Sequence, residues 1–246
     1  MHESRLIQHR ITSGYIKIIV DDHELPAYWS HPEIGGTFPG LVLLHEWWGL
    51  TPQMRTQVRR FAALGFYVIA PDLFNGKVAG DADAALGLQQ QLGEAGPPLV
   101  NATINALENH HRVNGKMGIV GWHMGGKLAL HAAMHRSDLH AVVAFYARPD
   151  DYLTLMPADE TPILAFYGEN DQTASPEMIH RVRVALAKAS AKNKVIVYPG
   201  TTTGFFNEDL PTYRIQAASD AWFRTLDFLC VHLDIQAPGK TAHQVI

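Results

Sequence analysis

One segment near the middle of the chain, residues 118–126, reads GIVGWHMGG. Its first residues are apolar and predict a β-strand, and a helix rich in small residues follows from Met124. Between them, Gly121 and Gly125 flank His123 in the pattern G-x-X-x-G, which is typical of a sharp strand-to-helix turn with its central residue at the tip. The segment therefore predicts that the side chain of His123 stands above the edge of a sheet.

Short β-rich runs alternate with longer helical runs on both sides of this turn. The strands are predicted at residues 15–20, 25–30, 40–45, 66–70, 117–121, 141–146, 163–167 and 194–198, and the helices at 51–64, 82–92, 99–110, 124–135, 176–189 and 213–233. This order is typical of an α/β fold with a mostly parallel central sheet, helices on both faces and one antiparallel edge. We expect one domain over residues 1–246, with its ligand site beyond the carboxyl ends of the strands.

The bulk composition is that of a globular protein. The 246 residues are 47% hydrophobic and 18% charged, which is enough apolar material for a buried core. The formal net charge is −4 and no long basic stripe occurs, which argues against nucleic-acid and anionic-membrane partners. The sequence shows neither an apolar leader nor a run of about 18 apolar residues, and Cys230 is its single cysteine. These features predict a cytoplasmic protein without a disulfide, either a monomer or a homodimer.

Five further segments are similar to motifs of one enzyme family. Residues 45–50 (HEWWGL) resemble the H-E-x-x-G-L loop of dienelactone hydrolases, and residues 70–74 (APDLF) resemble their A-P-D-L-[YF] segment. Residues 167–171 (YGEND) resemble the loop that ends in the triad aspartate, and residues 198–207 (YPGTTTGFFN) resemble the loop that supplies the triad histidine. Residues 220–226 (DAWFRTL) are similar to the closing helix. The chain is identified as a member of this family, which implies a single-domain α/β-hydrolase fold.

The resemblance also implies roles for individual residues. Asp171 stands at the position of the triad acid, and Glu46 at that of the glutamate that contacts the resting thiol in the family. The backbone N–H groups of Trp47 and Met124 stand at the positions of the oxyanion-hole donors. These four positions match the family pattern, so we expect the frame of its active site in this chain.

The two reactive positions depart from the family pattern. His123 occupies the place of the nucleophile, and Thr203 occupies that of the triad histidine. A Cys or Ser nucleophile needs an adjacent base, and the Thr203 hydroxyl is not basic near neutral pH. Cys230 lies in the predicted closing helix, away from any such turn. We therefore expect no ordinary Cys/Ser–His–Asp mechanism.

Three interpretations of the site remain open from the residues. In the first, His123 is oriented by Asp171 or Glu46 and activates water on a small ester or lactone, or serves as base for Thr203. In the second, the imidazole and the two carboxylates hold a metal; no ligand spacing supports this, and we expect no metal or cofactor. In the third, the pocket is that of a catalytically inactive protein that binds a ligand, because both reactive positions have changed.

Aromatic residues close to these loops predict an apolar pocket mouth. The residues expected to line it are Trp47, Trp48, Trp122 and Phe205. Packing beneath the turn is the alternative for Trp122, and Asn207 is expected to contact the ligand. Dienelactone hydrolases hold the carboxylate of their substrate with arginines, whereas residues 61–111 of this chain contain none. We therefore expect a small-molecule partner that is neutral or apolar.

Overall fold

The computed structural model describes residues 8–148 and 161–235. The strands in these ranges are β1 (Ile11–Val20), β2 (His23–Pro32), β3 (Phe38–Leu44), β4 (Tyr67–Pro71), β5 (Val113–Trp122), β6 (Ala141–Phe145), β7 (Ile163–Gly168) and β8 (Lys194–Tyr198). The α-helices are α1 (Pro52–Ala63), α2 (Ala82–Leu92), α3 (Gly96–Glu108), α4 (Met124–His135), α5 (Pro176–Ala189) and α6 (Ile215–His232).

The eight strands form one sheet in the order β1-β2-β4-β3-β5-β6-β7-β8. β1 pairs with β2, and β2 with β4, in antiparallel fashion. All the other neighbours are parallel. The sheet is therefore mostly parallel with an antiparallel edge, as the order of the elements predicts. The carboxyl ends of β3 to β8 lie at one edge, so the loops that follow them meet there.

Helices cover both faces of this sheet and enclose a core on each side. One core combines buried residues of the sheet with those of α3, α4 and α5. The other combines them with residues of α1 and α6. Central strands are buried on both faces, and every residue of β3 is buried. This explains why the strands are continuous apolar runs in the sequence rather than alternating ones. The fold is thus the α/β-hydrolase class that the sequence predicts.

Several predicted boundaries agree with the structure, several others differ by a few residues, and the start of α3 differs for a clear reason. Helices α2, α4 and α5 and strand β8 have the bounds that their sequence patterns predict. Thr51 caps α1 as expected, because its hydroxyl accepts a hydrogen bond from the N–H of Met54 at 3.3 Å. The prediction that α3 starts at residue 99 is wrong, since it starts at Gly96. Pro97 and Pro98 lie in its first turn, where a missing N–H breaks no helical hydrogen bond.

Among the residues that the structure describes, no helix is both long and apolar enough to cross a membrane.

Candidate active site

The turn between β5 and α4 presents His123 in a strained backbone conformation. His123 has φ 51° and ψ −112°, and positive φ is uncommon for a residue with a side chain. Two backbone hydrogen bonds hold it there: its N–H donates to the carbonyl of Phe145 at 2.9 Å, and its carbonyl accepts from the N–H of Lys127 at 3.0 Å. Strain of this kind, held by its surroundings, is typical of functional sites.

The two flanking glycines are required by close backbone contacts. A Cβ atom on Gly121 would lie 2.1 Å from the carbonyl oxygen of Gly125. A Cβ atom on Gly125 would lie 2.2 Å from the carbonyl oxygen of Leu44 and 2.6 Å from that of His45. No side chain fits at these distances, so the turn packs directly on the end of β3. This contact brings His123 next to the loop that carries Glu46 and Trp47.

The imidazole of His123 is mostly buried and carries no hydrogen bond to any described residue. Its ring lies beside that of Trp47, with 5.0 Å between the centroids. Burial lowers the pKa of His123 to about 4, and the nearby Asp171 carboxylate only partly opposes this effect. The ring is therefore neutral at pH 7. The Nδ1 atom is buried without a partner among the described residues, so it donates neither of the hydrogen bonds to Asp171 or Glu46 that were expected to orient the ring.

Asp171 and Thr203 lie together, as the family pattern implies for these two positions. The Thr203 hydroxyl donates a hydrogen bond to Oδ1 of Asp171 at 2.6 Å and accepts one from the N–H of Gln172 at 3.2 Å. Oδ1 also accepts from the N–H of Thr173 at 2.8 Å and from its hydroxyl at 2.7 Å. The second carboxylate oxygen, Oδ2, is buried and has no hydrogen-bond partner in the part of the chain that the structure describes. Thr203 thus contacts the triad acid but supplies no base.

A close backbone approach brings these two loops together. A Cβ atom on Gly168, at the end of β7, would lie 2.6 Å from the carbonyl oxygen of Thr201. The N–H of Asn170 donates to the same carbonyl at 2.9 Å. The loop after β7 is therefore fixed against the loop after β8, which sets the position of Asp171 relative to Thr203.

Glu46 is buried, and its carboxylate accepts hydrogen bonds from two other side chains. Its Oε1 accepts from the hydroxyl of Tyr146 at 2.6 Å, and its Oε2 accepts from the side-chain amide of Asn207 at 3.3 Å. Burial raises the pKa of the Glu46 carboxyl, and these two hydrogen bonds lower it by less. Asn207 was expected to contact a ligand; in the structure its amide is buried against Glu46 instead.

The backbone N–H groups of Trp47 and Met124 form no hydrogen bond with another described residue. Met124 is the first residue of α4, where backbone N–H groups lack helical partners and stabilise negative charge. The indole of Trp48 packs on that of Trp47, with centroids 5.1 Å apart, and both side chains are half-buried. The two candidate oxyanion donors thus belong to residues that adjoin His123, since Trp47 packs on its ring and Met124 follows it in the chain.

Two of the aromatic residues predicted to line the pocket mouth lie in the core instead. Trp122 is 2% exposed and Phe205 is fully buried, so neither presents a surface to a ligand. Trp122 stacks on Phe145 with a centroid distance of 5.3 Å, and Phe205 packs on Tyr146 at 5.7 Å. The structure agrees with the alternative for Trp122, packing beneath the turn, and the prediction that Phe205 lines the mouth is wrong. Trp122 is the last residue of β5, and its side chain points into the core between the sheet and helices α1 and α6.

Three residues of the site were missed in the sequence. Tyr146 directly follows β6, has a positive φ of 39°, and donates a hydrogen bond from its hydroxyl to the Glu46 carboxylate. Thr173 stands two residues after Asp171 and bonds its carboxylate, a local pattern that short polar side chains commonly form. His45 is buried, with Nδ1 donating to the carbonyl of Glu46 at 2.6 Å and Nε2 accepting from the N–H of Leu73 at 3.1 Å. A polar residue directly after a buried parallel strand is the signal that could have found Tyr146 and His45.

The side chains do not converge as metal ligands do. Within residues 8–148 and 161–235, no group of three or more His, Cys, Asp or Glu side chains is arranged to hold a metal ion. The carboxylates of Glu46 and Asp171 lie on different loops and accept hydrogen bonds from different side chains. The geometry gives the metal interpretation no support.

Comparisons with known proteins agree with this architecture. The sequence model of the dienelactone hydrolase family matches residues 25–233. A protein of Methylorubrum extorquens, named as a candidate carboxymethylenebutenolidase, is 29% identical over 236 residues, which cover 89% of this chain and 80% of the relative. The protein named usf of Aquifex pyrophilus is 32% identical over 219 residues, which cover 84% of this chain and 93% of the relative. The crystal structure of a candidate dienelactone hydrolase from Klebsiella pneumoniae superposes with a TM-score of 0.79 at 24% identity, covering 90% and 99% of the two chains. The family model matches well over half of the sequence, and the chain therefore belongs to the dienelactone hydrolase family.

Proposed function

We propose that this protein hydrolyses small, neutral esters or lactones by a reaction that runs from His123 instead of a Cys or Ser nucleophile. One observation carries the proposal. An imidazole without a hydrogen bond to any described residue stands at the tip of the turn, and it adjoins Trp47 and Met124, whose backbone N–H groups have no partner among those residues. A reactive nitrogen beside two donors is the minimum that acyl transfer requires, because the donors stabilise the negative charge that develops on the carbonyl oxygen.

The protonation state of His123 suits this role. The low pKa of His123 keeps its imidazole neutral from pH 8 down to about 5, so its lone pair is available for chemistry. The Asp171 carboxylate lies close enough to stabilise positive charge that forms on the ring during the reaction. Thr203 and Thr173 fix that carboxylate in place. In this proposal Asp171 and Thr203 stabilise charge and hold the loop, and neither is a base.

Glu46 acts through its neighbour in the chain. Tyr146 and Asn207 hold its side chain at both oxygens, which fixes the start of the loop that contains Trp47. The N–H of Trp47 is one of the two proposed oxyanion donors. Glu46 is thus a positioning residue for this donor, not a group that contacts the reacting atoms.

The charges around the site favour an uncharged substrate. The site contains the two acidic side chains of Glu46 and Asp171, and residues 61–111 contribute no arginine. A substrate carboxylate would be placed next to these acidic groups and repelled by them. The half-buried indoles of Trp47 and Trp48 offer apolar contact to a neutral ester or lactone.

Ligand binding without turnover is the second candidate function. It is favoured by the hydrogen bonds that Glu46 and Oδ1 of Asp171 accept from other groups, since neither carboxylate bonds the imidazole. Such a protein would bind the same neutral molecules in the same pocket and release them unchanged.

Hydrolysis of a panel of aryl esters, alkyl esters and lactones separates the two functions. The protein is compared with its His123→Ala variant and with His135→Ala, a matched control that removes an exposed imidazole from the adjoining helix. We expect saturable hydrolysis that falls at least about tenfold in His123→Ala, or about 1.4 kcal/mol of barrier, and that is unchanged in His135→Ala. Equal, unsaturable rates for all three proteins would refute the proposal and leave ligand binding as the function.

A further inference from the structure

The two nitrogens of the His123 ring have different surroundings. Nδ1 is buried and has no hydrogen-bond partner among the described residues. Nε2 has no partner among them either, but unlike Nδ1 it is not fully buried. The side chain as a whole is partly exposed. A ligand can therefore reach the ring only at Nε2. In the tautomer with the proton on Nδ1, the Nε2 atom has a free lone pair.

We propose that Nε2 of His123 is itself the nucleophile and carries the acyl group during each turnover. This inference rests on the proposed function and assigns the chemistry within it. The turn holds position 123 where a reacting side chain meets the carbonyl carbon, and the N–H of Met124 comes from the next residue along the chain. A nitrogen that merely activates water has no need of the strained turn, since the water would form the new bond.

A neutral imidazole explains both departures from the family pattern at once. A thiol or hydroxyl must lose its proton to attack, which is why it needs an adjacent base. An imidazole nitrogen with a free lone pair has no proton to lose. A His nucleophile at position 123 therefore makes a base at position 203 unnecessary, and Thr203 can serve only to hold Asp171.

The step balances without any further reactant. The Nε2 lone pair forms a bond to the carbonyl carbon, and the C=O π electrons move to the oxygen, which accepts hydrogen bonds from the N–H groups of Trp47 and Met124. The intermediate collapses, the C–O bond to the leaving group breaks, and that group departs with the electron pair. Water then attacks the acyl carbon, the C–N bond returns its electrons to Nε2, and one proton is released to balance the leaving anion. The buried Nδ1 keeps its proton throughout, so the acyl-imidazole is cationic and the Asp171 carboxylate stabilises it.

This chemistry selects the substrate by its leaving group. The tetrahedral intermediate partitions according to the basicity of the two groups that it can expel. An alkoxide is so much stronger a base than imidazole that alkyl esters return to the starting materials, whereas a weakly basic phenolate such as p-nitrophenolate competes with imidazole as the leaving group, so activated aryl esters go forward. The inferred substrate class is esters with acidic leaving groups. A general base acting on water discriminates far less between these two classes.

Rapid mixing with excess p-nitrophenyl acetate tests the inference. Samples are quenched into cold denaturant at successive times, and the acetylated residue is located by mass spectrometry of peptides. We expect a burst of about one p-nitrophenolate per chain and an acetyl group on His123 that vanishes when the ester is exhausted. Hydroxylamine, which cleaves acyl-imidazoles, should speed the steady state. His135→Ala should retain the burst, and the acetyl group should be absent from His123 when the chain is unfolded in urea before mixing.

The outcomes separate this inference from the proposed function. Turnover that depends on His123, without a burst and without an acetyl group at any quench time, would refute the assignment of His123 as the nucleophile. His123 would then be a base that acts on water. Similar rates for aryl and alkyl acetates would refute that assignment as well. Equal hydrolysis by the protein and by a folded His123→Ala variant overturns both. Because the adduct is located in the unaltered protein, the result does not depend on whether the variant folds.

Discussion

Acidification should destabilise the folded chain through His123. The pKa of this imidazole falls from 6.5 in an unfolded chain to about 4 in the folded one, because burial disfavours its charged form. Between these two values the unfolded chain binds more protons than the folded chain, so folding stability is lost as the pH falls through this window. A separation of about 2.5 pH units at 1.36 kcal/mol each corresponds to about 3 kcal/mol. The loss is complete below about pH 4, where both states are protonated.

Urea unfolding at a series of pH values measures this effect. The chain has 14 histidines, and several others also titrate, so the protein is compared with His123→Ala at each pH. The difference between their unfolding free energies isolates His123, because all other groups are shared. We expect the advantage of the unaltered protein over the variant to shrink by about 3 kcal/mol between about pH 7.5 and 4.

A free-energy difference that stays constant over this range would refute the reasoning. It would mean that the folded ring takes up a proton as easily as one in water. The ring would then be solvated or paired with a carboxylate, and the neutral imidazole on which the proposed chemistry depends would be absent.

Three further predictions concern the same loops. Ester hydrolysis should be independent of pH from about 8 to 5 and decline only near pH 4, where His123 becomes protonated; a midpoint near 6.5 in the pH–rate profile would contradict this. Thr203→Val should lower the free energy of unfolding in urea by about 1–3 kcal/mol, because Asp171 loses a donor, whereas Thr203→Ser should restore most of it; equal stabilities for both variants would count against the hydrogen bond. The double variant His123→Cys with Thr203→His should gain esterase activity that iodoacetamide abolishes, because Oδ1 of Asp171 already accepts a hydrogen bond from position 203; a folded but inactive double variant would show that more than these two residues has changed.

The fold was predictable because its signals are local. Thr51 and Pro52 mark the start of α1 within a few residues, and the glycines around His123 mark the turn between β5 and α4. Such signals depend on neighbours in the chain, which the sequence displays directly. The departures at positions 123 and 203 were visible for the same reason, since each occurs within a recognisable motif.

The contacts of the site were less predictable because they join distant parts of the chain. Glu46 and Tyr146 are 100 residues apart, and Glu46 and Asn207 are 161 apart. Which of several polar residues meets a given carboxylate depends on the register of the sheet and the path of each loop. Trp122 shows a second limit of prediction from sequence. A strand that is buried on both faces has no alternation of polar and apolar residues, so the pattern does not reveal to which face the side chain of its last residue points.

The support of Asp171 by Thr173 has a consequence for how such a site changes over generations. Thr173 supplies two of the hydrogen bonds to the carboxylate from within the same loop, and neither involves residue 123. The acidic group therefore stays in place whichever side chain occupies the tip of the turn. A change of the reactive residue therefore leaves the carboxylate in place, and only positions 123 and 203 need to be randomised together in a search for new activities.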